Sequence, residues 1–196
     1  MDLVKDIEEF LEPSRAKWYA HRGIPYRCGY LFHGNPGTGK TSTSVALAGH
    51  FESNLYIATL SQIHDDAHLT RFFSEPRKGD IILLEDIDSA GINRESMGAD
   101  GKKRSKSKKK GVTLPGLLNA IDSISGMNGV ILIMTRKNPE SLDEALIRPG
   151  RIDKQVYMGP VSQEVAKSIF IRMYQEDEVP SSFLHSIISR YQSGIR

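Results

Sequence analysis

The sequence has a single cysteine and lacks any long apolar segment. With only Cys28, the chain can form no internal disulfide and no cluster of thiolate metal ligands; a reducing compartment is allowed but not required. The longest uninterrupted apolar run is Val130–Met134, and others such as Ile81–Leu84 are shorter, whereas a helix that spans a bilayer needs about 20 such residues. The acidic first residues, Met1–Glu9, are unlike a signal or transit peptide. The sequence therefore predicts no membrane span and no targeting segment in this chain.

Basic charge is scarce outside one short segment. Residues 102–110 contain seven of the 26 Lys and Arg residues, and subtracting them leaves 19 basic against 24 acidic residues. The segment has no aromatic residue, and nucleic-acid-binding folds usually spread their basic residues over a whole face. We therefore expect a mildly acidic body, a polar basic loop over residues 91–111, and no nucleic-acid partner.

Short apolar runs alternate with amphipathic stretches along the chain, which predicts an α/β fold with a mostly parallel sheet. We expect five strands, near Tyr30–His33, Leu55–Leu60, Asp80–Glu85, Val130–Thr135 and Lys154–Met158. We expect helices over 3–11 after an Asp2 cap, 13–21, 39–51, 65–74, 114–124 after a Thr113 cap, 141–148, 162–175 and 181–191.

One glycine-rich segment matches the phosphate-binding loop G-x-x-x-x-G-K-[ST] in full. It reads Gly34, Asn35, Pro36, Gly37, Thr38, Gly39, Lys40 and Thr41, and Ser42 follows it. A strand is predicted before this loop and a helix after it, so backbone N–H groups and the positive end of a helix dipole would face a phosphate. Lys40 would contact the β- and γ-phosphates, and the Thr41 hydroxyl would be a ligand of Mg²⁺.

Acidic residues follow the apolar run Ile81–Leu84, in the order Glu85-Asp86-Ile87-Asp88. Phosphate-loop enzymes usually have Asp and then Glu here, the first serving Mg²⁺ and the second the attacking water. The reversed order predicts that Glu85 serves the metal and Asp86 the water. Burying several acids beside an apolar strand is costly unless a cation is present. A solvated acidic turn is the alternative.

These motifs, taken with Ala145-Leu146-Ile147-Arg148-Pro149-Gly150-Arg151-Ile152-Asp153, resemble the AAA ATPases. The segments 23–31 and 114–122 resemble the Bcs type, named for cytochrome bc synthesis. The resemblance implies a three-layer P-loop NTPase sandwich with a five-stranded, mostly parallel sheet. It also implies a large subdomain over 1–159 and a partial helical lid over 160–196.

The same resemblance implies ATP and Mg²⁺ as cofactors and a ring of identical subunits. In such rings an arginine of the Arg-Pro-Gly-Arg stretch reaches the γ-phosphate of the neighbouring subunit, where a guanidinium neutralises charge in the transition state. We expect Arg148 and Arg151 both to point outward for this role. Ile24 is expected to contact the adenine, with a role in packing as the alternative.

The chain departs from the family where a water-positioning Asn is usual, after the fourth strand. Lys137 occupies that position and Asn138 follows one residue later. An ammonium only donates hydrogen bonds, so Lys137 would hold ATP unhydrolysed and the chain would be a nucleotide-binding regulator. Alternatively the loop shifts by one residue, Asn138 orients the water, and the chain is a working motor.

Bcs-type proteins act on protein clients, and in mitochondria they move the Rieske iron–sulfur protein across the inner membrane. The resemblance thus implies a mitochondrial inner-membrane protein acting on the matrix side. No N-terminal anchor or intermediate domain is recognisable, so the chain is either an excised module or a truncated relative. The lysine run 102–110 is a solvated insertion, a pore-facing client contact or a nuclear-localisation-like signal. It alone favours a nucleic-acid-dependent ATPase.

Overall fold

A five-stranded sheet organises the first of two compact units, residues 1–158. Its strands are β1 (Arg27–His33), β2 (Leu55–Thr59), β3 (Ile81–Glu85), β4 (Val130–Arg136) and β5 (Lys154–Tyr157). The spatial order is β2-β3-β4-β1-β5, and every neighbouring pair is parallel. The prediction of an α/β fold with five strands is confirmed. Since β4 lies between β1 and β3, the ends of these three strands meet at one edge of the sheet.

The computed structural model describes residues 2–87, 111–123, 129–137 and 142–174. The basic run 102–110, Asn138 and the predicted helix over 181–191 lie outside these ranges. The helices of the first unit are α1 (Leu3–Leu11), α2 (Pro13–His21), α3 (Lys40–His50), α4 (Asp66–Ser74) and α5 (Leu114–Ser123). The second unit, residues 159–196, contributes α6 (Gln163–Met173). Within the described ranges, no helix has the length and apolarity that crossing a bilayer requires.

Alternating side chains of the strands pack into two apolar layers, one on each face of the sheet. On one face, strand residues such as Leu84 and Met134 pack with α4 and α5. On the other face, Leu83 and Ile133 pack with α1 and α3. Buried on both faces, β3 and β4 have continuous apolar sequences instead of alternating ones. The result is the predicted three-layer sandwich.

Side-chain caps fix where several helices begin. The Asp2 carboxylate accepts from Lys5 N at the start of α1, and Thr113 Oγ1 accepts from Gly116 N before α5. Both predicted caps are therefore confirmed. Pro13 stands at the first position of α2, where it loses no helical hydrogen bond.

Two elements differ from the sequence-based expectation. Strand β1 begins at Arg27 and not at Tyr30, because Arg27, Cys28 and Gly29 pair with β4 despite their low apolarity. No helix forms between Leu142 and Arg148, where a helix was predicted. Hydrogen bonds of Leu146 N to Asp143 O and of Ile147 N to Glu144 O make successive turns instead. Pro149 disfavours helical geometry before it and leaves too few residues for a stable helix.

Candidate nucleotide-binding site

The phosphate-loop residues form a tight turn between β1 and α3. Gly34 has φ 140°, and a Cβ there would lie 2.2 Å from the carbonyl oxygen of Met158, so only glycine fits. Gly39 precedes α3 with φ 89°, and the first intrahelical bond runs from Thr43 N to Gly39 O. The N–H groups of residues 40–42 precede that bond, at the positive end of the helix. This arrangement suits a phosphate group.

The Lys40 ammonium lies within the loop. Its Nζ donates to Gly34 O at 2.8 Å and Asn35 O at 2.7 Å, and lies 3.4 Å from Thr38 Oγ1. Thr38 Oγ1 also donates to Asn35 O at 2.8 Å. The loop therefore surrounds one positive charge with backbone, while residues 35–37 of the loop remain exposed.

The side chains of Glu85 and Thr41 contact each other at the carboxyl ends of the strands. The side chain of Glu85 lies on the same face of β3 as Ile81 and Leu83, which is the face that α3 covers. As a result the Thr41 hydroxyl, in the first turn of α3, donates to Glu85 Oε1 at 2.5 Å. A hydroxyl and a carboxylate oxygen are hard ligands of the kind that Mg²⁺ prefers.

At Asp86 the backbone leaves the extended conformation of β3. Its φ is 47°, in the left-handed region, and its N–H donates to Thr135 Oγ1 at 3.1 Å. The next residue, Ile87, donates from N to Thr135 O at 3.2 Å. Thr135 is buried near the end of β4 and thereby fixes the backbone of the acidic turn. Asp86 itself is exposed, so its carboxylate can meet water.

Lys137 follows β4 directly and is exposed. It therefore stands at the carboxyl end of β4, between the strand that precedes the phosphate loop and the strand that precedes the acidic turn, and its role stays a prediction. The residue before it, Arg136, is buried, and its carbonyl accepts from Gly34 N at 3.2 Å. Asn138, the alternative water-positioning residue, lies outside the described part of the chain.

The structure does not bring Ile24 to the phosphate loop. Ile24 N donates to Tyr19 O and Gly23 N to Ala20 O, which is the pattern of a helix end that places Ile24 after α2. Strand β1 then separates it from Gly34, and its seven residues span about 20 Å. Ile24 is 45% exposed at the opposite edge of the sheet. The adenine contact of Ile24 stays a prediction, and the described residues show only that Ile24 and Gly34 lie at opposite ends of β1.

The two arginines of the Arg-Pro-Gly-Arg stretch have different environments. Arg148 is exposed. The Arg151 guanidinium donates to both carboxylate oxygens of Asp122, at 3.1 and 2.6 Å, and to Ala145 O at 2.6 Å. The prediction that both point outward is wrong for Arg151, because an acidic partner within the chain holds it.

The arginine stretch also lies far from the phosphate loop of its own chain. Asp153 accepts from Gly29 N through its side chain and donates to Gly29 O through its backbone, both at 2.8 Å. Gly29 is the third residue of β1, and the strand covers about 16 Å from there to Gly34. Arg148 therefore lies towards the amino ends of the strands, and the phosphate loop lies at their carboxyl ends.

The residues at the carboxyl edge fit a nucleotide with Mg²⁺. Among the described residues, no three or more His, Cys, Asp or Glu side chains gather as a metal site. Proteins usually hold Mg²⁺ through one or two carboxylates together with substrate phosphates and water, and Glu85 is one such carboxylate. Burial lowers the pKa of His33, beside Gly34, below its ordinary value, which favours the neutral imidazole.

Three residues that support the site were missed from sequence: Thr135, Arg136 and Asp122. The Thr135 side chain and the Arg136 carbonyl each bind a backbone N–H, and the Asp122 side chain binds another side chain; no motif marks such roles. A threonine and an arginine at the end of an apolar strand were the available signal for the first two.

Comparison with known proteins gives consistent similarities. Residues 30–160 match the family described as "ATPase family associated with various cellular activities (AAA)". A "Probable mitochondrial chaperone bcs1" of Schizosaccharomyces pombe is 38% identical over 188 residues, covering 95% of this chain and 40% of that protein. The human "Mitochondrial chaperone BCS1" is 38% identical over 174 residues, covering 88% and 40%. An Arabidopsis thaliana "AAA-ATPase At5g17760" is 36% identical over 172 residues, covering 86% and 34%.

The chain thus spans about two fifths of the length of these relatives. The matched family region runs from β1 through β5 and includes the phosphate loop, the acidic turn and the arginine stretch. The predicted resemblance is confirmed: the chain belongs to the AAA ATPase family and is similar to the BCS1 mitochondrial chaperones over most of its length.

Proposed function

We propose that this chain binds ATP with Mg²⁺ at residues 34–42 and hydrolyses it only when copies assemble, each copy supplying Arg148 to the site of its neighbour. The observation that carries the proposal is the separation along β1. The arginine stretch is fastened to Gly29, about 16 Å of strand away from Gly34. Arg148 is nonetheless exposed, so a site on another copy is the reasonable place for its charge.

Different side chains have different roles in phosphoryl transfer. Lys40 and the N–H groups at the start of α3 hold and orient phosphate oxygens. Glu85 and Thr41 hold Mg²⁺, which neutralises developing negative charge when bound. Asp86, with its backbone fixed by Thr135, takes the proton of the attacking water. Arg148 of the adjacent copy stabilises the transition-state charge, as arginines supplied in trans do.

We further propose that the assembly is a homo-oligomeric ring that remodels or translocates a protein client. The support is the similarity to proteins named as mitochondrial chaperones, together with the shared-site geometry. By the same similarity the chain would work in mitochondria, and the Bcs-type resemblance implies the matrix side of the inner membrane. The Rieske iron–sulfur protein is the client that the Bcs-type resemblance implies.

The test is phosphate release measured against protein concentration, followed by mixing of two inactive variants. We expect the specific activity to rise with concentration, because each site needs an arginine from a second copy. Arg148→Ala retains its own site but offers no arginine, and Asp86→Asn offers the arginine but has no base. Each should be inactive alone, and an equal mixture should recover activity. A concentration-independent specific activity, or a mixture that stays inactive, contradicts the shared site.

Lys137 favours a second candidate function, that of an ATP-holding regulator with little turnover. Its position directly after β4, between β1 and β3, is the one where a water-orienting amide is expected. A positive charge facing the γ-phosphate favours ATP over ADP by about 1 kcal/mol in a partly exposed site.

We therefore expect Lys137→Asn to raise turnover and to weaken the preference for ATP over ADP, measured by phosphate release and by calorimetry. Lys17→Asn, which removes an exposed lysine from α2, is the matched control and should change neither. If Asn138 orients the water instead, Lys137→Asn changes little and Asn138→Ala abolishes hydrolysis. That second result would favour the working motor.

A further inference from the structure

A cluster of two arginines and one aspartate lies where α5 approaches the start of β1. Asp122 Oδ1 accepts from Arg27 Nη2 and from Arg151 Nε, both at 3.1 Å, and Asp122 Oδ2 accepts from Arg151 Nη2 at 2.6 Å. Arg27 Nη1 also donates to Ile121 O at 2.5 Å. The contact between Arg151 and Asp122 is therefore two-pronged, the geometry that gives strong and well-oriented ion pairs.

The carboxylate is the only acid that the described structure pairs with either guanidinium. The side chains of Arg27 and Arg151 are 11% and 16% exposed, and that of Asp122 is 44% exposed. Hydrogen bonding to Arg151 lowers the pKa of Asp122, and the same bond raises the pKa of Arg151. Removing the carboxylate charge would leave two neighbouring cations close together and largely out of water, which is strongly unfavourable.

The contacts of Arg151 also close the turn that carries Arg148. Nη1 of Arg151 donates to Ala145 O at 2.6 Å, and its backbone N donates to Arg148 O at 3.0 Å. Residues 145 and 151 are thus joined at the base of a loop with Arg148 between them. Asp153 adds a second restraint, since its Oδ1 accepts from Gly150 N at 2.7 Å.

We infer that Asp122 is a positioning residue for Arg148. Asp122, which also accepts from Arg27, holds Arg151 inside its own chain, and Arg151 in turn fixes the turn that presents Arg148 to the site of a neighbouring copy. This inference rests on the proposed shared site. It assigns different roles to the two arginines: Arg148 contacts the phosphate, and Arg151 holds the loop in place. Displacing an arginine by about 1 Å would cost on the order of 100-fold in rate.

Mixing separates a positioning role in trans from damage to the chain's own site. Asp122→Asn should bind ATP as the parent does but lose on the order of 100-fold in kcat, with little change in KM. Its own site is intact, so mixing it with Asp86→Asn should restore activity as fully as it does for Arg148→Ala. Asp2→Asn is the matched control, because it removes one helix-end charge while keeping the capping oxygen of α1.

Three results would overturn the inference. Asp122→Asn could retain parent activity; it could gain activity, which would mean that Asp122 restrains Arg151; or it could stay inactive in the mixture although Arg148→Ala recovers. A failure of the Arg148→Ala mixture itself would instead count against the shared site, so the two failures are distinguishable.

If Asp122→Asn does not fold, Arg151→Lys tests the same inference. Lysine keeps the positive charge but cannot make the two-pronged contact with Asp122 while also reaching Ala145 O. We expect the same loss of kcat and the same recovery when it is mixed with Asp86→Asn. Parent activity in Arg151→Lys, or no recovery in the mixture, would show that the turn does not depend on this contact.

Discussion

Replacing Asp86 with Asn is expected to abolish turnover while ATP remains bound. The amide has nearly the shape of the carboxylate but cannot accept a proton from water, and loss of a general base costs about 10²- to 10⁴-fold in rate. The backbone should not move, because Asn tolerates the left-handed region that Asp86 occupies at φ 47°. The N–H bond to Thr135 Oγ1 is likewise retained. Phosphate release and nucleotide binding are the two measurements.

Glu52 offers a matched control for that substitution. It is also an acid with a positive φ, of 50°, and it is exposed between α3 and β2. Glu52→Asn should therefore leave turnover unchanged. Glu85→Gln should instead weaken the Mg²⁺ dependence of ATP binding, because Glu85 meets Thr41 on the metal side. If Asp86→Asn hydrolyses ATP at the parent rate while Glu85→Gln does not, the two acids have the opposite roles.

The sequence was sufficient to predict the sheet and the carboxyl edge of the site. Short apolar runs such as Ile81–Leu84 have the length of buried strands, and parallel strands bring their carboxyl ends to one edge. The phosphate loop follows β1 and Glu85 is the last residue of β3, so their proximity follows from topology. The hydrogen bond from Thr41 to Glu85 is one contact that this proximity produces.

Predictions that depended on side-chain partners distant in sequence were less successful. The outward direction of Arg151 is wrong because Asp122, 29 positions earlier, reaches it from the end of α5. Ile24 lies at the opposite end of β1 from the phosphate loop, a separation that its place in the sequence does not reveal, and its adenine contact stays a prediction. For Arg151 the deciding fact is a side-chain partner on another element, and for Ile24 it is the end of β1 at which the residue lies.

Replacing Lys40 with Ala is expected to weaken the binding of Mg²⁺–ATP about ten- to hundred-fold. The ammonium is the one side-chain cation that the described loop holds at its centre, between Gly34 O and Asn35 O. A hydrogen bond to a charged group contributes about 1.5–3 kcal/mol, and 1.4 kcal/mol corresponds to a factor of ten in affinity. The fold should persist, because alanine is favourable in the first turn of α3 and water can reach the exposed loop. Calorimetry with Mg²⁺–ATP measures the loss.

The number of phosphates on the nucleotide provides the internal control. Because Lys40 is assigned to the β- and γ-phosphates, Lys40→Ala should reduce affinity for ATP and ADP but leave the much weaker affinity for AMP almost unchanged. Lys17→Ala removes an exposed lysine from α2 and should alter none of the three. Equal losses for all three nucleotides would mean that the substitution distorts the loop, and unchanged ATP affinity would show that the loop does not bind phosphate. A loss graded with phosphate number is the result that a positive charge at this position requires, since the Coulomb attraction grows with the negative charge of the ligand.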